Sequence, residues 1–522
     1  MCGEDRGGDR VSRSRKSALL STTRAELSSP FSTRFHTAFG SCALASRLLV
    51  EPGSNEASPN IEPRKGSMLQ KLRVEAEVAN AYRDHVNPQW VKFLDTLQMN
   101  VAYLRCTGAE LHTTDGRVIL DFISGYCVHN IGHNHPRLVA ALKAELDRAG
   151  PAMLQSHVSD LAGELAQKLC RRSGGRLAKA FFASSGSEGV ETVIKFARAH
   201  TGRSGIVYAA GGFHGLTCGA LSLMSNGFWT ERFGPFLPET SSVPFGDVDA
   251  LERKLATRAI AAFVLEPIQA ESGVLLAPST YLREAQALCR RYGTLFVLDE
   301  VQTGLYRTGP FLAAHHFGVE PDMVILAKAL SGGLVPCSAV LMSDPIYHSV
   351  YSSLRRAVIH TSTYSENSLA MRAGLATLDI LEDEGLGPRA AKAGEALRAA
   401  LTDRLAKYEM VGDVRGLGLL NAIEFRAPRS PSLQIPFLAF AHIHPALFGQ
   451  MLVRRLFRDH GILSQICGNN FMALKVAPPL IIHDAQLERY VSAVEQLVHS
   501  LHTSKAFWSD ALGIGRRALA SI

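Results

Sequence analysis

The sequence predicts an α/β fold with a mostly parallel sheet. Leu295 to Leu298 and Met323 to Leu326 are continuous apolar runs, as in strands that are buried on both faces. Asp299 follows the first run directly, Lys328 comes just after the second, and glycines follow in both segments. Because open α/β sheets bind ligands beyond the carboxyl ends of their strands, we expect this acid and this amine to face one crevice.

The first 67 residues differ in composition from the rest of the chain. They are rich in Ser, Arg and Gly and have little apolar periodicity, so we expect a disordered extension or a wrongly assigned start, with Met68 as the real beginning. An organelle transit peptide is the alternative, but acidic residues such as Glu4 and Asp5 dilute its basic character.

Helices and a hairpin are predicted next. Residues 68–99 indicate helices that break near Asn87, and two short strands follow with their turn at 114–117. A helix is predicted from Pro136, because proline suits a first helical turn and apolar residues then recur at helical spacing. His133 and His135 have no partner ligands at a useful distance in sequence, so we expect turn and packing roles and no metal.

A serine- and glycine-rich turn lies between a strand at 180–183 and a helix at 189–200. Turn amides, hydroxyls and a helix N-terminus together form a cradle for a phosphate group. The candidates are Ser185, Gly186 and Ser187. Without further motifs, the same residues predict no more than a helix cap.

The next strand, at 206–208, leads into the segment GGFHGLT. Phe213 in this segment can lie flat against the face of a planar cofactor ring, and His214 beside it is a second candidate for the same site. A core phenylalanine is the alternative for Phe213. The remaining elements predicted in this region are strands at 260–266 and 338–342 and a helix at 281–292.

The C-terminal part begins with a helical region at 368–408 that breaks near 385–388. The segment VRGLGLLNAIEF then predicts one strand, and 426–434 predicts a loop. Residues 435–457 are unusually apolar, which favours a buried helix or a dimer contact. The alternatives are a wall for a long apolar substrate or a helix that rests on a membrane surface.

The pairing of Asp299 with Lys328 suits pyridoxal phosphate chemistry. In that chemistry a lysine holds the cofactor as an imine and then carries a proton, while a carboxylate faces the pyridine nitrogen. Taken singly, Asp299 predicts a helix cap and Lys328 a solvated lysine. Because each of them follows a buried strand, the joint role is favoured.

From about Asn87 to about Leu501 the chain resembles the class III (subgroup II) pyridoxal-phosphate aminotransferases, which include ornithine, acetylornithine, 4-aminobutyrate and putrescine transaminases. The motifs that carry the resemblance are LDEVQTGLYRTG, LAKALSGG, SSGSEGVE and EPIQ, in the family's order. The resemblance implies fold type I, with a mostly parallel seven-stranded sheet in a large domain and a smaller α/β domain. We expect the large domain at 126–395, the small domain at 396–505 joined by 68–125, and a tail at 506–522.

The resemblance also implies roles for single residues. In the family, the positions of Tyr126 and Glu271 border the substrate, and that of Gln302 hydrogen-bonds the cofactor's ring oxygen. Ser362 and Thr363 match residues that touch the phosphate in the neighbouring subunit. The resemblance therefore implies an obligate homodimer with shared active sites, although Ser365-Glu366 replace the family's glycine pair there.

Two differences from the family's sequence pattern bear on the identity of the substrate. Where ornithine-type enzymes carry arginines that bind carboxylates, this chain has Leu216 and Lys475. Because leucine cannot replace a guanidinium, we expect an ω-amino acid, a diamine or an amine on an apolar scaffold rather than ornithine or acetylornithine. Lys475 could pair with Glu271 as a gate that opens for a 2-oxo acid. Other candidate functions are a transaminase that acts on ornithine or acetylornithine after all, an aminomutase or decarboxylase on the same scaffold, a binding protein with a decayed site, and synthesis of an aminated lipid.

The composition limits the classes of function that the chain could have. The 522 residues are 46% hydrophobic and 20% charged with a net charge of +7, which favours a soluble enzyme and argues against nucleic-acid binding. No run of eighteen apolar residues is present. The nine cysteines contain no CxxC pair, which favours a reducing compartment and a cytoplasmic location.

Overall fold

The structure is a computed structural model that describes residues 81–509, apart from 155, 444 and 505. The predicted extension at 1–67, the first part of the helical prediction at 68–99 and the end of the tail lie outside the described residues. The described residues begin with a helical segment at 81–85. A second helix, Pro88–Leu97, follows Asn87, whose side chain caps it by accepting from the Trp90 backbone N–H at 3.0 Å. The predicted break at Asn87 is therefore confirmed.

A seven-stranded sheet forms the centre of the fold. Six of its strands run in the same direction. The seventh, Ser338–Ser343, runs antiparallel to both its neighbours. This mostly parallel sheet confirms the predicted fold class. In spatial order the strands are Leu177–Ala183, Ser338–Ser343, Met323–Leu326, Leu295–Asp299, Ile260–Leu265, Gly205–Ala209 and Thr240–Val243.

Burial explains why these strands could be predicted. Every residue of Ile260–Leu265, Leu295–Asp299 and Met323–Leu326 is buried, because helices cover both faces of the sheet. Their sequences are therefore continuous apolar runs instead of alternating ones. Thr240–Val243, at the edge of the sheet, is short and mostly polar, so no apolar run predicts it.

Three smaller sheets complete the described structure. One joins the strands before residue 122 to a strand near the C-terminus, so distant parts of the chain build a single sheet. Its order is Tyr103–Thr107, Glu110–Thr113, Val118–Asp121 and Ile462–Leu463. A second has the order Val411–Leu417, Leu420–Phe425, Ala473–Val476 and Gln465–Ile466, and the third pairs Ile268–Gln269 with Leu275–Leu276.

Helices pack on both faces of the central sheet and beside the smaller ones. The helix predicted from Pro136 and the helix predicted at 281–292 are both confirmed. The helices of eight or more residues are Pro88–Leu97, Pro136–Asp147, Asp160–Ser173, Gly186–Thr201, Val248–Leu255, Tyr281–Tyr292, Ser368–Asp383, Leu386–Leu405, Pro431–Ile443, Leu447–His460 and Asp484–Thr503. Shorter helices are Cys218–Leu221, Gly227–Thr230, Ala314–Phe317, Lys328–Ser331, Asp344–Val350 and Leu354–Arg356.

Two predictions for the C-terminal part are wrong. The segment VRGLGLLNAIEF forms a hairpin instead of one strand, because Gly416 and Gly418 adopt φ of +144° and +54° and reverse the chain. The loop predicted at 426–434 becomes helical at Pro431, because proline suits a first helical turn. The apolar stretch after it divides between that helix and the buried helix Leu447–His460.

The two histidines before the helix Pro136–Asp147 bind carboxylates. His133 Nε2 lies 2.8 Å from Asp121 Oδ2, and His135 Nε2 lies 3.1 Å from Glu384 Oε1. Both contacts fix the entry to that helix, as the packing interpretation predicts. Among the helices of residues 81–509 that the structure describes, none is long and apolar enough to cross a membrane.

Candidate active site

The predicted acid and amine lie at the ends of neighbouring strands. Leu295–Asp299 and Met323–Leu326 are parallel and directly hydrogen-bonded, so their carboxyl ends emerge at the same edge of the sheet. Asp299 and Lys328 both line a cavity of about 560 Å³ at that edge. The structure therefore brings together the two residues on which the functional prediction depends.

Lys328 has an unusual backbone conformation. Its φ is +47°, a left-handed value that costs a residue with a side chain about 1–3 kcal/mol and that proteins retain mainly at functional sites. Burial lowers the pKa of its ammonium group, and nearby acids such as Glu271 and Asp299 only partly oppose this effect. A larger fraction of the amine is therefore uncharged and nucleophilic than on an exposed lysine.

Asp299 is buried and held by two donors. His214 Nδ1 lies 2.8 Å from Asp299 Oδ2, and the Val301 backbone N–H donates to Asp299 Oδ1 at 3.1 Å. Burial alone would lower the pKa of His214, but the hydrogen bond and charge of Asp299 outweigh burial and raise it. The raised pKa favours the charged form of His214 beside Asp299. Sequence analysis placed His214 in this site but missed that it contacts Asp299.

The serine- and glycine-rich turn lines the same cavity. The helix after it begins at Gly186, earlier than predicted, and the Ser185 hydroxyl caps it by accepting from the Glu188 backbone N–H at 3.3 Å. Gly186 and Ser187 also lie on the cavity wall, so the N-terminus of a 16-residue helix faces the space beside Lys328. This placement suits the binding of an anion.

Phe213 lines the cavity between the turn and Asp299. Its backbone N–H donates to Glu266 Oε1 at 2.9 Å, and the Ala270 N–H donates to Glu266 Oε2 at 3.2 Å. Glu266 is thus a buried hydrogen-bonding group that fixes the Phe213 segment. Burial and the nearby Asp299 raise the pKa of Glu266 to about 7.

A second cavity of about 280 Å³ shares Phe213 and Lys328 with the first. It is lined by Tyr126, Glu271 and Gln302, the three residues predicted at the substrate and the ring oxygen. The Gln302 Nε2 donates to Glu271 Oε1 at 3.2 Å. The two cavities therefore adjoin at Lys328 and Phe213. The predicted cofactor residues divide between them, because Gln302 lines the second cavity together with Tyr126 and Glu271.

Glu271 and Lys475 form a buried ion pair below this second cavity. Lys475 Nζ contacts Glu271 Oε1, and the Gly468 backbone N–H donates to Glu271 Oε2 at 2.9 Å. Burial disfavours the charged form of both groups. The attraction to Lys475 outweighs burial and lowers the pKa of Glu271, and the attraction to Glu271 raises the pKa of Lys475. The predicted pairing of these residues is present.

Tyr126 lies on a strained turn. All four residues of Ser124–Cys127 have left-handed φ values, between 50° and 68°. Asp121 Oδ1 stabilises the start of the turn by accepting from the backbone N–H groups of residues 123 and 124 at 2.9 and 2.8 Å. The turn places the Tyr126 ring 5.6 Å from Lys475 Nζ, over the buried ion pair.

Ser362 and Thr363 lie apart from the Lys328 cavity within the chain. They line a third cavity, of about 520 Å³, together with Met153, Leu154 and Val358. The one contact from this pair toward the predicted phosphate site is weak, with Ser362 Oγ 3.5 Å from Glu188 Oε1. Neither residue lines the cavity that contains Lys328.

Sequence analysis missed several residues of the site. Trp229 lines the second cavity, and Val301 lines the first, where it contacts Gly186. Val301 is inside the LDEVQ motif and could have been found from its position after Asp299. Trp229 lies in the short helix Gly227–Thr230, which carries no motif, and only the rarity of tryptophan, with three in the chain, could have drawn attention to it.

Comparison with known proteins identifies the family. Residues 94–498 match the family described as aminotransferase class-III, which covers well over half of the chain. The chain belongs to the class-III aminotransferases. It is 35% identical over 458 residues to the aminotransferase PigE from Serratia sp., a match that covers 82% of this chain and 54% of that protein. It is 34% identical over 440 residues to a putrescine aminotransferase from Pectobacterium atrosepticum, covering 82% and 89%.

Solved structures of class-III aminotransferases share the fold. The ornithine aminotransferase from Toxoplasma gondii superimposes with a TM-score of 0.72 and 28% identity, over 84% of this chain and all of that chain. The acetylornithine aminotransferase from Elizabethkingia anophelis gives 0.61 and 31%, over 77% and 94%. These similarities agree with the resemblance found in the motifs, and they do not define the substrate of this class-III aminotransferase.

Class-III aminotransferases use pyridoxal 5'-phosphate, and the residues of the first cavity fit this cofactor. An amine, a carboxylate and a helix N-terminus with serine hydroxyls all face one space large enough for a substituted pyridine ring. Two buried polar atoms at the site, His214 Nε2 and Gln302 Oε1, have no hydrogen-bond partner within the described chain. Such atoms are expected where a ligand supplies the missing partner.

Proposed function

We propose that this enzyme transfers an amino group between a primary amine and a 2-oxo acid, with Lys328 as the group that binds the cofactor and carries the proton. The observation that carries the proposal is the shared cavity at the ends of two adjacent parallel strands, with Asp299 on one and Lys328 just beyond the other. An acid and an amine in that relation are what the chemistry requires.

When bound, pyridoxal phosphate supplies an aldehyde for the amine and a ring that withdraws electrons. Lys328 is poised for this task because burial lowers the pKa of its ammonium group, so the amine can accept and return a proton. Asp299, supported by His214, would hold a proton on the ring nitrogen. Phe213 would support the ring face, and Gln302 would donate to the ring oxygen.

The serine- and glycine-rich turn would bind the phosphate. Ser185 and Ser187 offer hydroxyls, and Gly186 begins the helix whose N-terminus favours an anion. A Cβ atom at Gly186 would lie 3.1 Å from Val301 Cγ2, so a larger residue would push the turn against the cavity wall. This close approach supports a turn shaped for backbone contact with a ligand.

For the substrate, we propose a primary amine that is recognised without an α-carboxylate: an ω-amino acid, a diamine or an amine on an apolar scaffold. Leu216 follows the Phe213 turn directly and is exposed there, so no guanidinium is available at that point. Lys475 could bind the carboxylate of the 2-oxo acid only after leaving Glu271, which makes this ion pair a gate between the two substrates.

We also propose an obligate homodimer with shared active sites. Ser362 and Thr363 line a different cavity from that of Lys328, and exposed apolar residues lie beside them. Leu354 is 96% exposed and Val358 77%, which is unusual for a face that stays in water. A second copy that covers this face would bring both hydroxyls to the phosphate of its own cofactor.

A cytoplasmic location is the final part of the proposal. All seven cysteines within the described residues are free thiols, and several of them are buried. Disulfides are rare in reducing compartments, so unpaired cysteines support this location. Cell fractionation with an antibody to the protein is the direct measurement.

The half-reaction tests the proposed function. The purified, cofactor-loaded enzyme is mixed with one amine at a time, and the absorbance of the bound cofactor is followed as it converts to its amino form. We expect conversion by at least one amine and full turnover only when a 2-oxo acid is added. Lys328→Ala should abolish both signals.

Turnover without any oxo acid would contradict the proposal and favour an aminomutase or a decarboxylase. A purified protein that takes up no pyridoxal phosphate would favour a binding protein with a decayed site.

A further inference from the structure

Three aromatic rings lead from the cofactor cavity to the protein surface. The Phe213 and Trp229 rings pack edge to face with centroids 5.3 Å apart, and Trp229 packs in the same way on Phe228 at 4.8 Å. Phe213 lines both cavities, Trp229 is half-buried in the wall of the second, and Phe228 is 68% exposed. From the wall of the second cavity, these three packed rings therefore form an apolar aromatic track that ends at the exposed Phe228.

Trp229 is fixed in place by hydrogen bonds. Its Nε1–H donates to Asn469 Oδ1 at 2.8 Å, and Asn226 Nδ2 donates to the same oxygen at 2.9 Å. Asn469 in turn donates through Nδ2 to the Gly211 carbonyl at 2.8 Å, and through its backbone N–H to the Glu271 carbonyl at 2.8 Å. The indole is thus tied to the segments on both sides of the cavity, so it is preorganised for a ligand.

The close approach of Trp229 depends on a glycine. A Cβ atom at Gly468 would lie 3.1 Å from Trp229 Cζ2 and 3.2 Å from Glu271 Oε2. These contacts are tighter than ordinary van der Waals distances, so the indole packs directly against the backbone beside the ion pair. The wall made by Trp229 is therefore a built feature of the cavity and not a loosely placed surface ring.

The charges of the second cavity disfavour a charged distal group on the substrate. Glu271 is already neutralised by Lys475, so a second ammonium ion would have to compete with a buried partner. In the described part of the chain, no arginine lines either of the two adjoining cavities. The space beyond the reacting amine thus offers aromatic surface and no unpaired charge.

We infer that Trp229 is a specificity-determining residue and that the amine substrate carries an unbranched alkyl or arylalkyl chain, which lies along Trp229 toward Phe228. This inference rests on the proposed transaminase function and selects among its three substrate classes. The chain's apolar surface is removed from water against the indole face. Because the track opens to the surface, it sets no sharp upper limit on chain length.

The wild-type experiment measures the half-reaction of the cofactor-loaded enzyme with n-butylamine, n-pentylamine, n-hexylamine, n-octylamine, putrescine and ornithine. We expect kcat/KM to rise about two- to fourfold for each added methylene group. n-Pentylamine and putrescine have the same number of non-hydrogen atoms, and we expect n-pentylamine to react faster. Putrescine or ornithine ahead of n-octylamine overturns the inference.

Variants assign the effect to Trp229. Trp229→Ala should flatten the rise of kcat/KM with chain length, whereas Phe233→Ala should preserve it, since Phe233 is an exposed aromatic residue nearby that lines neither cavity. Trp229→Phe keeps an aromatic wall without the bond to Asn469 and should retain part of the rise. It also serves if Trp229→Ala does not fold. An unchanged rise in both Trp229 variants overturns the inference.

A binding measurement gives a readout that is independent of turnover. 1-Octanol and 1-butanol lack the reacting amine, and tryptophan fluorescence of the cofactor-loaded enzyme is titrated with each. We expect 1-octanol to bind more tightly and its quenching to disappear in Trp229→Phe. Equal binding of the two alcohols overturns the inference. If putrescine or ornithine converts the cofactor while alkylamines show no gain with length, only this inference fails; if no amine converts it, the proposed function fails as well.

Discussion

At the residue scale, the chemistry of the site comes from charged groups that burial forces to interact. Asp299, His214 and Glu266 lie together at the first cavity. Burial raises the pKa of Glu266, whereas the pKa of His214 is raised against the effect of burial by its hydrogen bond to Asp299. The His214 contact keeps one oxygen of Asp299 occupied, so the carboxylate is oriented before any ligand arrives. An unsupported buried carboxylate would be costly and poorly aimed.

The orienting role of His214 can be tested by substitution. His214→Ala leaves Asp299 Oδ2 without its donor, a loss worth about 1–3 kcal/mol, so we expect the cofactor to bind about 10- to 100-fold more weakly. His214→Asn offers an N–H in a similar position and should restore most of the affinity. The measurement is a titration of the apoenzyme with pyridoxal phosphate, followed by absorbance. Equal affinity in all three proteins would show that His214 is dispensable.

A second buried acid gives a pH prediction. Glu300 accepts from the Ala313 and Ala314 backbone N–H groups at 2.7 Å, yet burial outweighs these bonds and raises the pKa of Glu300 from 4.5 to about 7. In the unfolded chain the group ionises at lower pH than in the folded protein. The wild type should therefore lose about 3 kcal/mol of stability from this group as pH rises from about 4.5 to 7.

The matched variant for this prediction is Glu300→Gln, which cannot ionise. We expect the unfolding free energy of the wild type minus that of the variant to fall as pH rises, because only the wild type is penalised for ionising. Denaturant unfolding at a series of pH values measures this difference. A difference that grows with pH would mean that the folded state favours the ionised carboxylate.

At the element scale, close packing of helices on the central sheet explains which glycines the chain requires. The helix Gly186–Thr201 lies so near the strand Met323–Leu326 that a Cβ atom at Gly189 would be 2.7 Å from Ile325 Cγ2. This strand leads to Lys328, so the packing sets the distance between the predicted phosphate turn and the amine. The sequence SGSEGVE shows glycines at this point but not the neighbour that requires them.

Two alanine substitutions should therefore have opposite effects on stability. Gly189→Ala forces a methyl group against Ile325 and should cost about 1–3 kcal/mol through overpacking. Gly163→Ala lies in the helix Asp160–Ser173 with no atom within 4 Å of the added Cβ, so it should stabilise the protein by about 0.5–1 kcal/mol. Thermal unfolding measures both. Two shifts of the same sign would contradict this packing argument.

At the scale of the whole molecule, the groups that are predicted to bind the cofactor lie in separate cavities of the chain. Its cofactor cavity has the amine, the acid and the helix N-terminus, while the hydroxyls of Ser362 and Thr363 line a different cavity bordered by exposed apolar side chains. A two-fold symmetric dimer would resolve both features, because each subunit would cover the other's apolar face and complete its phosphate site.

Mixed dimers test this arrangement. Lys328→Ala removes the amine from one kind of subunit, and Thr363→Glu places a negative charge where the other kind should contact phosphate; each homodimer should be inactive. A mixed dimer, isolated with two different tags, contains one intact site and should have about half of the wild-type activity. Sedimentation confirms the dimer. A mixed dimer as inactive as its parents, or an active monomer, would contradict shared sites.

The fold class was readable from the sequence because its decisive strands are buried on both faces. Ile260–Leu265, Leu295–Asp299 and Met323–Leu326 must be apolar at every position, and the reactive residues after them stand out against that background. The hairpin at 411–425 was missed because its reversal depends on backbone angles at two glycines, which the sequence does not report. The polar edge strand Thr240–Val243 carries no apolar signal at all.

The sequence by itself determined the family, the sheet and the pairing of Asp299 with Lys328, because these depend on the order of residues along single strands and turns. Only the tertiary structure decided that His214 supports Asp299, that the predicted pair of Glu271 and Lys475 is buried, and that Trp229 lines the second cavity. His214 and Asp299 are 85 residues apart in sequence, and Glu271 and Lys475 are 204 apart. Trp229 is 240 residues from Asn469, which binds its indole. No local pattern encodes such distances, since they arise only when separate segments pack around one cavity.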